Sequence, residues 1–467
     1  MGLLIQRADL AGDRALVDVH VDGDRINAVA PTVAPTVGDE VIDAEGNAVV
    51  PGLADHHVHL LAWAAALDSV RCGPPQVSDR GALARALQAA PGAPGDWIRG
   101  VGYHESVAGV LDRIAIDELE PHRPVRIQHR SGMLWMLNSA AVYRLRLDEG
   151  TDLDGVERDN VGRVTGRCWD ADARLRERIP RRPLDLGRVG TGLAAHGVTA
   201  VTDATATTDA ESLRILEAAA ADGRLPQRVT VMGPPDLEVA PSSPLRLGPV
   251  KIVLRETDLP DIHNVVELIA AARAASRSVA FHCTTRVELV FALAALDQAG
   301  AARGDRIEHG GVVPPELHAR LGARDLTVVT QPNFVAERGD QYLREVDAPD
   351  LPHLYPCASL RRAGIRVAAG TDAPFGDPDP WRAMHAATER RTVGGAALGA
   401  DERVDGSTAL GLFLGAPDDP GGRSRRVAPG VSADLCVLSR PLRETHAAPH
   451  DVRVAFAMIG GAVVYAA

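Results

Sequence analysis

The sequence predicts an α/β protein: a (β/α)8 TIM barrel, a small β-sandwich domain built from both chain termini, and a large insertion after barrel strand 1. Three observations carry this. Both ends of the chain alternate apolar and polar residues with a period of two. From about residue 190, short β-branched runs alternate with helical stretches, the pattern of a parallel sheet. Residues 60 to about 190 break that alternation. The boundaries that follow are 1–51 plus 425–467 for the sandwich and 52–424 for the barrel, with the insertion at about 60–190.

At the N-terminus, Val17, Val19 and Val21 alternate with Asp18 and His20, and Asp22-Gly23-Asp24 turns the chain into Arg25–Val29. At the C-terminus, Ala433–Leu438 is a short apolar run, and Gly460-Gly461 between 452–459 and 462–465 is a hairpin signal. In the middle, the strands are Gly197–Asp203, Arg228–Met232, Val250–Leu254, Ser278–His282, Asp305–His309, Leu326–Thr330 and Ile365–Ala369. The run from Ala48 to His59 makes eight, the number that closes a barrel. Thr208-Asp209-Ala210-Glu211 is expected to be a capping box opening a helix that ends near Gly223. Further helices are expected over Ile262–Ala275 and Val287–Leu296. In the insertion, Pro124–Gln128 reads as a strand, and Ala416–Gly430 is rich in Pro, Gly and Arg and linker-like.

Composition narrows the function. A formal net charge of −12 argues against a nucleic-acid groove or an anionic membrane surface. No apolar run approaches the ~20 residues of a membrane span, and the stretch Met1–Asp9 lacks the basic and apolar regions of a signal peptide. A cytoplasmic protein is therefore expected. The five cysteines form no CxxC pair and are odd in number, so they supply neither a disulfide framework nor a cysteine–zinc knot. Of the 50 basic residues only Lys251 is a lysine. A coding bias toward arginine explains the 49 others, and the single lysine raises the question of what arginine could not do there.

The chemistry begins at Pro51-Gly52-Leu53-Ala54-Asp55-His56-His57-Val58-His59. His57 and His59 are two apart on a strand, so both face one side, and two imidazoles there can hold one metal ion. With 16 histidines in the chain, chance alone gives about half of one such pair, so position matters more than the match. A strand's C-terminal end is the active-site mouth of such a barrel. His282 and His309 end two neighbouring strands, where a lone histidine is more often structural; Glu308 should face away from the mouth. Gly370-Thr371-Asp372 follows the last strand, and Asp372 is either a helix cap or a metal ligand and general base. Lys251 falls on the fourth strand. Buried near cations, a lysine can lose its proton, react with CO₂ and become a carbamate, a carboxylate on a long arm; arginine cannot.

With these motifs the chain resembles the amidohydrolase superfamily, and within it the YtcJ-like metal-dependent branch. The resemblance also covers Gly197–Val201, Arg306–His309, Trp97–Gly100 with Tyr103, Leu137–Ala140 and Ala433–Leu435. It implies a distorted barrel and a hydrolase of an amide, N-acyl, N-formyl or cyclic-amide C–N bond. It further implies one or two divalent metals, zinc foremost. His57 and His59 would lie on one metal and His282 and His309 on the other, with carboxylated Lys251 bridging a binuclear metal centre. Asp372 would be ligand and general base to a metal-activated hydroxide. A homodimer and a small-molecule substrate follow by the same analogy. The chain departs from the branch where Ile252–Glu256 replaces an Asp-Gly pair, Cys283–Arg286 a Gly-Asp pair, and Ser131-Gly132-Met133 an Asp-Gly-His pattern.

Those departures fall on the substrate side. The residues expected to line the pocket are Tyr103, Met133, Trp135, Gln331, Phe334, Phe375 and Trp381, with Gln331–Arg338 read as a loop overhanging the mouth. Two other readings stand beside the hydrolase. One is a one-metal heterocycle deaminase, which needs a glutamate near His282; the nearest is Glu288. The other is a non-catalytic metal-binding barrel.

Overall fold

The computed structural model describes residues 2–13, 15–149, 154–180 and 183–467. The chain divides into two units, Met1–Leu60 with Leu186–Ala467, and Leu61–Asp185.

The first unit holds an eight-stranded parallel sheet: β1 (Leu53–Val58), β2 (Val198–Asp203), β3 (Arg228–Gly233), β4 (Arg246–Val253), β5 (Val279–Cys283), β6 (Arg306–His309), β7 (Thr327–Thr330) and β8 (Arg366–Ala369). Neighbours in sequence are neighbours in the sheet. β1, β2, β6 and β7 are buried along their whole length, as strands covered on both faces must be. The ring closes just past β8. The Asp372 N–H donates to the His57 carbonyl at 2.8 Å, and the His59 N–H donates to the Ala373 carbonyl at 2.8 Å. The Asp55 carboxylate accepts from the Thr371 N–H at 3.0 Å and its hydroxyl at 2.6 Å. Asp55 is thus a buried clasp between the first and last strands. The fold is a mixed α/β barrel with added antiparallel sheets.

The termini supply two further sheets, the first with Leu3–Asp9 and Glu40–Asp43 paired in parallel. One consists of Leu3–Asp9, Leu16–Asp22, Arg25–Ala30 and Glu40–Asp43; the other sets Val49–Pro51 against Leu435–Leu438, followed by Val454–Ile459 and Ala462–Ala466. Leu3, Ile5, Val19 and Val21 share one apolar cluster with Leu435, Val437, Phe456 and Met458. Gly460 and Gly461 take φ of 54° and 78°, the left-handed pair a tight hairpin requires.

Two local expectations need correcting. The helix Ala210–Ala221 is capped by Asp209, whose carboxylate accepts from the Ser212 N–H at 2.7 Å, so Thr208 is not the cap. The capping box occurs instead at Thr285 and Glu288, opening Arg286–Ala299. Gln331–Arg338 is mostly helix: Asn333–Glu345 starts directly after Pro332, a residue whose fixed φ suits a helix start. The five cysteines are free and buried. No described helix is long and apolar enough to cross a membrane.

The second unit carries a six-stranded sheet in the order Val156–Arg158, Val164–Trp169, Leu134–Leu137, Val125–His129, Ile98–Tyr103, Val70–Arg71. Ile98, Val125, Ile127, Leu134 and Met136 face one apolar cluster, and Trp135 and Leu137 face another. Tyr103 and Trp135, expected as pocket walls, are core residues here. Tyr103 is fully buried and its hydroxyl donates to the Gly109 carbonyl at 2.5 Å. The Trp135 ring lies beside the guanidinium groups of Arg99 (5.3 Å) and Arg126 (5.0 Å). Met133, just before Leu134–Leu137, is half-buried.

Candidate active site

The histidines gather at the C-terminal ends of the barrel strands. The His57 ring centroid lies 5.4 Å from that of His59 and 4.7 Å from that of His309, and His309 lies 4.4 Å from His282. Asp372 Oδ1 sits 3.6 Å from His57 Nε2 and 3.3 Å from His59 Nε2. One ligand atom from each of His57, His59 and Asp372 falls within 4.8 Å of the others, a spacing that one metal ion can span. Lys251, on β4, is buried among them and is one of the charges that depress His57, His282 and His309.

Three of the four rings, those of His57, His59 and His309, are held through Nδ1. His57 Nδ1 donates to Glu308, which is also bound by Arg306 Nε. His309 Nδ1 donates to Gln331 Oε1 at 2.8 Å. His59 Nδ1 meets the Thr205 hydroxyl at 3.0 Å. Thr205 is in turn placed by Asp203, whose carboxylate accepts from the Thr205 N–H at 3.0 Å and the Leu60 N–H at 2.8 Å. A histidine that donates from Nδ1 carries its lone pair on Nε2, the state that binds metal.

Electrostatics agree. Burial first, and then Lys251, push His57 well below the usual histidine range and His282 down to about 3. Burial and the neighbouring histidines do the same to His309. These imidazoles are neutral at working pH. Burial lowers Lys251 to about 8, so about a tenth is free amine at pH 7.

Glu308 corrects the expectation that it faces away. Arg306 and Glu308 are two apart and share the inner face. His309 reaches the mouth only because its backbone takes φ 68°, a conformation uncommon for a residue with a Cβ. Asp372 takes φ 58°. Two strained backbones therefore sit on functional side chains, where such strain concentrates.

The expected pocket residues divide. Phe375 lies beside the histidines, its ring edge-on to His59 at 5.3 Å. Gln331 is fully buried against His309; it orients a ring and is not placed as a substrate contact. Phe334 is buried in a cluster with Tyr355 and Leu398. Trp381 is buried in the helix Pro380–Glu389, its indole N–H donating to the His196 carbonyl at 3.1 Å, so it is core. Glu288, the acid a deaminase would need, accepts from the N–H groups of Thr284 (2.6 Å), Thr285 (3.1 Å) and Glu256 (3.1 Å). It is committed to capping. Sequence reading missed Glu308, Asp55, Thr205 and Asp203. The strand period of two, linking Arg306 to Glu308 and Asp55 to His57, could have exposed two of them.

The residues fit a metal. Among the described residues, His57 Nε2, Lys251 Nζ and Asp372 Oδ1 are buried polar atoms with no hydrogen-bond partner. Leaving such atoms bare is costly; a cation between His57 Nε2 and Asp372 Oδ1 would satisfy both, and Lys251 Nζ would suit a cation only once it has lost its proton.

The profile of the amidohydrolase family matches residues 40–465. The chain belongs to the amidohydrolase family. This amidohydrolase is a hydrolase acting on carbon–nitrogen bonds. It is 27% identical to an N-substituted formamide deformylase of Arthrobacter pascens, with 90% of each chain covered. It is 25% identical to the putative amidohydrolase YtcJ of Bacillus subtilis, covering 91% of this chain and 90% of that one. In fold it is similar to a metal-dependent hydrolase of Pyrococcus horikoshii, at a TM-score of 0.71 and 19% identity, over 93% of this chain and 96% of the other.

Proposed function

We propose that this amidohydrolase hydrolyses the C–N bond of an N-formyl or N-acyl compound, with His57, His59, Lys251, His282, His309 and Asp372 as the residues that hold one or two divalent metals, zinc foremost. The observation that carries the reading is the trio of unpartnered buried atoms on His57, Lys251 and Asp372. The formamide deformylase relative supports the choice of bond. A bound divalent metal would supply Lewis acidity, acidifying water and polarising a carbonyl oxygen.

The chain's own residues do the rest. Neutral Lys251 attacks CO₂ through Nζ and releases a proton, giving a carbamate that can bridge two cations. Asp372 accepts the proton of the attacking water and returns it to the departing nitrogen. Its turn just past β8 sets it beside His57 and His59. Glu308, Gln331 and Thr205 fix the rings, so the ligand set is in place before substrate arrives.

The test is metal analysis of purified protein together with a hydrolysis panel of N-formyl, N-acyl, cyclic-amide and lactone substrates. Stoichiometric metal with turnover of formyl or acyl amides is expected. Metal-loaded protein that opens only lactones would overturn the bond assignment. Protein that takes up no metal when zinc and bicarbonate are supplied would overturn the ligand set.

A further inference from the structure

One side chain close to Asp372 has no role in the reading above. Arg338 lies on the helix Asn333–Glu345, four residues after Phe334 and four before Tyr342, so the three form one stripe. Its guanidinium sits 3.8 Å from the centre of the Phe334 ring. Nη2 donates to the Phe375 carbonyl at 2.6 Å. Phe375 belongs to the turn of Asp372, its N–H donating to the Asp372 carbonyl at 2.7 Å, and its ring touches His59. Arg338 is thereby fixed one short turn from the candidate base.

A guanidinium carries five N–H donors, and a half-buried cation normally meets an anion. The other buried arginines do find partners. Arg306 is bound to Glu308. Arg390 donates to the carbonyls of Leu354, Tyr355, Leu398 and Gly399. Arg338 makes one hydrogen bond, and among the described residues no carboxylate lies within ion-pair distance of it. Its neighbour Glu337 is spent on Asn333 and the Asp377 N–H, both at 3.0 Å. Beside it, the Tyr342 and Tyr355 hydroxyls meet at 3.2 Å. That pair has two protons and uses one internally, so one hydroxyl can still donate. Burial opposes the charge on Arg338, yet Tyr342, Tyr355, Glu337 and Asp372 together keep it protonated.

We propose that Arg338 and the Tyr342–Tyr355 hydroxyl pair form a carboxylate-recognising subsite beside Asp372, making the substrate an N-formyl or N-acyl compound that carries a carboxylate, of the N-acylated amino-acid type. This rests on the C–N hydrolase reading. The carboxylate neutralises the guanidinium, takes two parallel N–H donors as arginine–carboxylate pairs do, and places the scissile amide toward Asp372. Phe334 holds the guanidinium plane through cation–π contact, so the cost of ordering a long side chain is already met in the folded protein.

The experiment compares two probes differing in one group, N-formyl-leucine and N-formyl-3-methylbutylamine, on wild-type and Arg338→Met protein. Wild type is expected to favour the acid in kcat/KM, and R338M to collapse that preference by about 10- to 100-fold, chiefly through KM. A wild-type enzyme indifferent to the carboxylate overturns the subsite. So does an R338M protein that loses both probes by one common factor, the mark of a merely structural arginine. If neither probe is turned over, the hydrolase reading fails separately, and calorimetric binding of N-formyl-leucine decides the subsite. Binding that vanishes in R338M supports it; equal binding, or none to wild type, overturns it.

Discussion

Glu308→Gln is the sharpest probe of how this site is held. The substitution keeps the volume and removes the charge, so no cavity contributes. In the folded protein Glu308 is fully buried, accepts from His57 Nδ1 on one oxygen and from Arg306 Nε on the other. Burial opposes its ionisation, but Arg306 and Lys251 outweigh burial and hold it charged. Glutamine offers one oxygen for two donors. Arg306 is then left as a buried cation whose remaining partner is the His56 carbonyl at 2.9 Å. Breaking a buried pair costs about 3–5 kcal/mol. At roughly 2.1 cal/mol/K per residue, that is a fall of about 4–7 °C in the thermal midpoint of a unit of this size. His57 also loses the partner that fixes its tautomer, worth about 10- to 100-fold in metal affinity. Calorimetry of the metal-free protein reads the first effect, and zinc titration against a competing chelator reads the second. An E308Q protein with wild-type midpoint and wild-type zinc affinity would show that the Arg306–Glu308–His57 chain does nothing for the site.

Three further outcomes are expected. Lys251→Arg keeps a cation but cannot form a carbamate, so metal content and turnover should both fall to near background; full metal loading in K251R would sink the bridging role. Asp372→Asn should retain the fold, checked by circular dichroism, and lose about 10²- to 10⁴-fold in kcat; an unchanged rate removes it as base. Asp434 accepts from Arg228 (2.7 and 3.0 Å) and from the Gly460 N–H at 2.7 Å, and these bonds outweigh burial and lower its pKa. A carboxyl lowered on folding adds stability above its unfolded pKa and loses it as pH falls through the folded one. Asp434→Asn should therefore cost on the order of 1 kcal/mol near neutrality, with the gap to wild type closing in acid; a gap that persists at low pH would place the effect elsewhere.

The site shows unevenly which of its features were readable beforehand. His57 and His59 were legible because a strand's period of two fixes their common side. Lys251 was legible because it is the one lysine in the chain. His309 was placed rightly and its neighbour wrongly, since a φ of 68° puts two consecutive side chains, Glu308 and His309, both to use at the centre. The segment after β7 reads as loop in the sequence, but from Asn333 it is helix, which buries Phe334 beside Tyr355 and Leu398. Trp381 and Tyr103 are buried, a burial that their nearness in sequence to a motif does not reveal.

The sequence by itself determined the class of fold and the side chains of the candidate ligand set. Both are written in local patterns: alternation, strand–helix order, and the identity of side chains at strand ends. The tertiary structure alone decided which partners set those ligands' protonation. The Asp55 clasp joins residues 316 apart in the chain, and the Glu308–His57 bond joins residues 251 apart. Hydrogen bonds of that reach depend on how the ring of strands closes, and no local pattern records it.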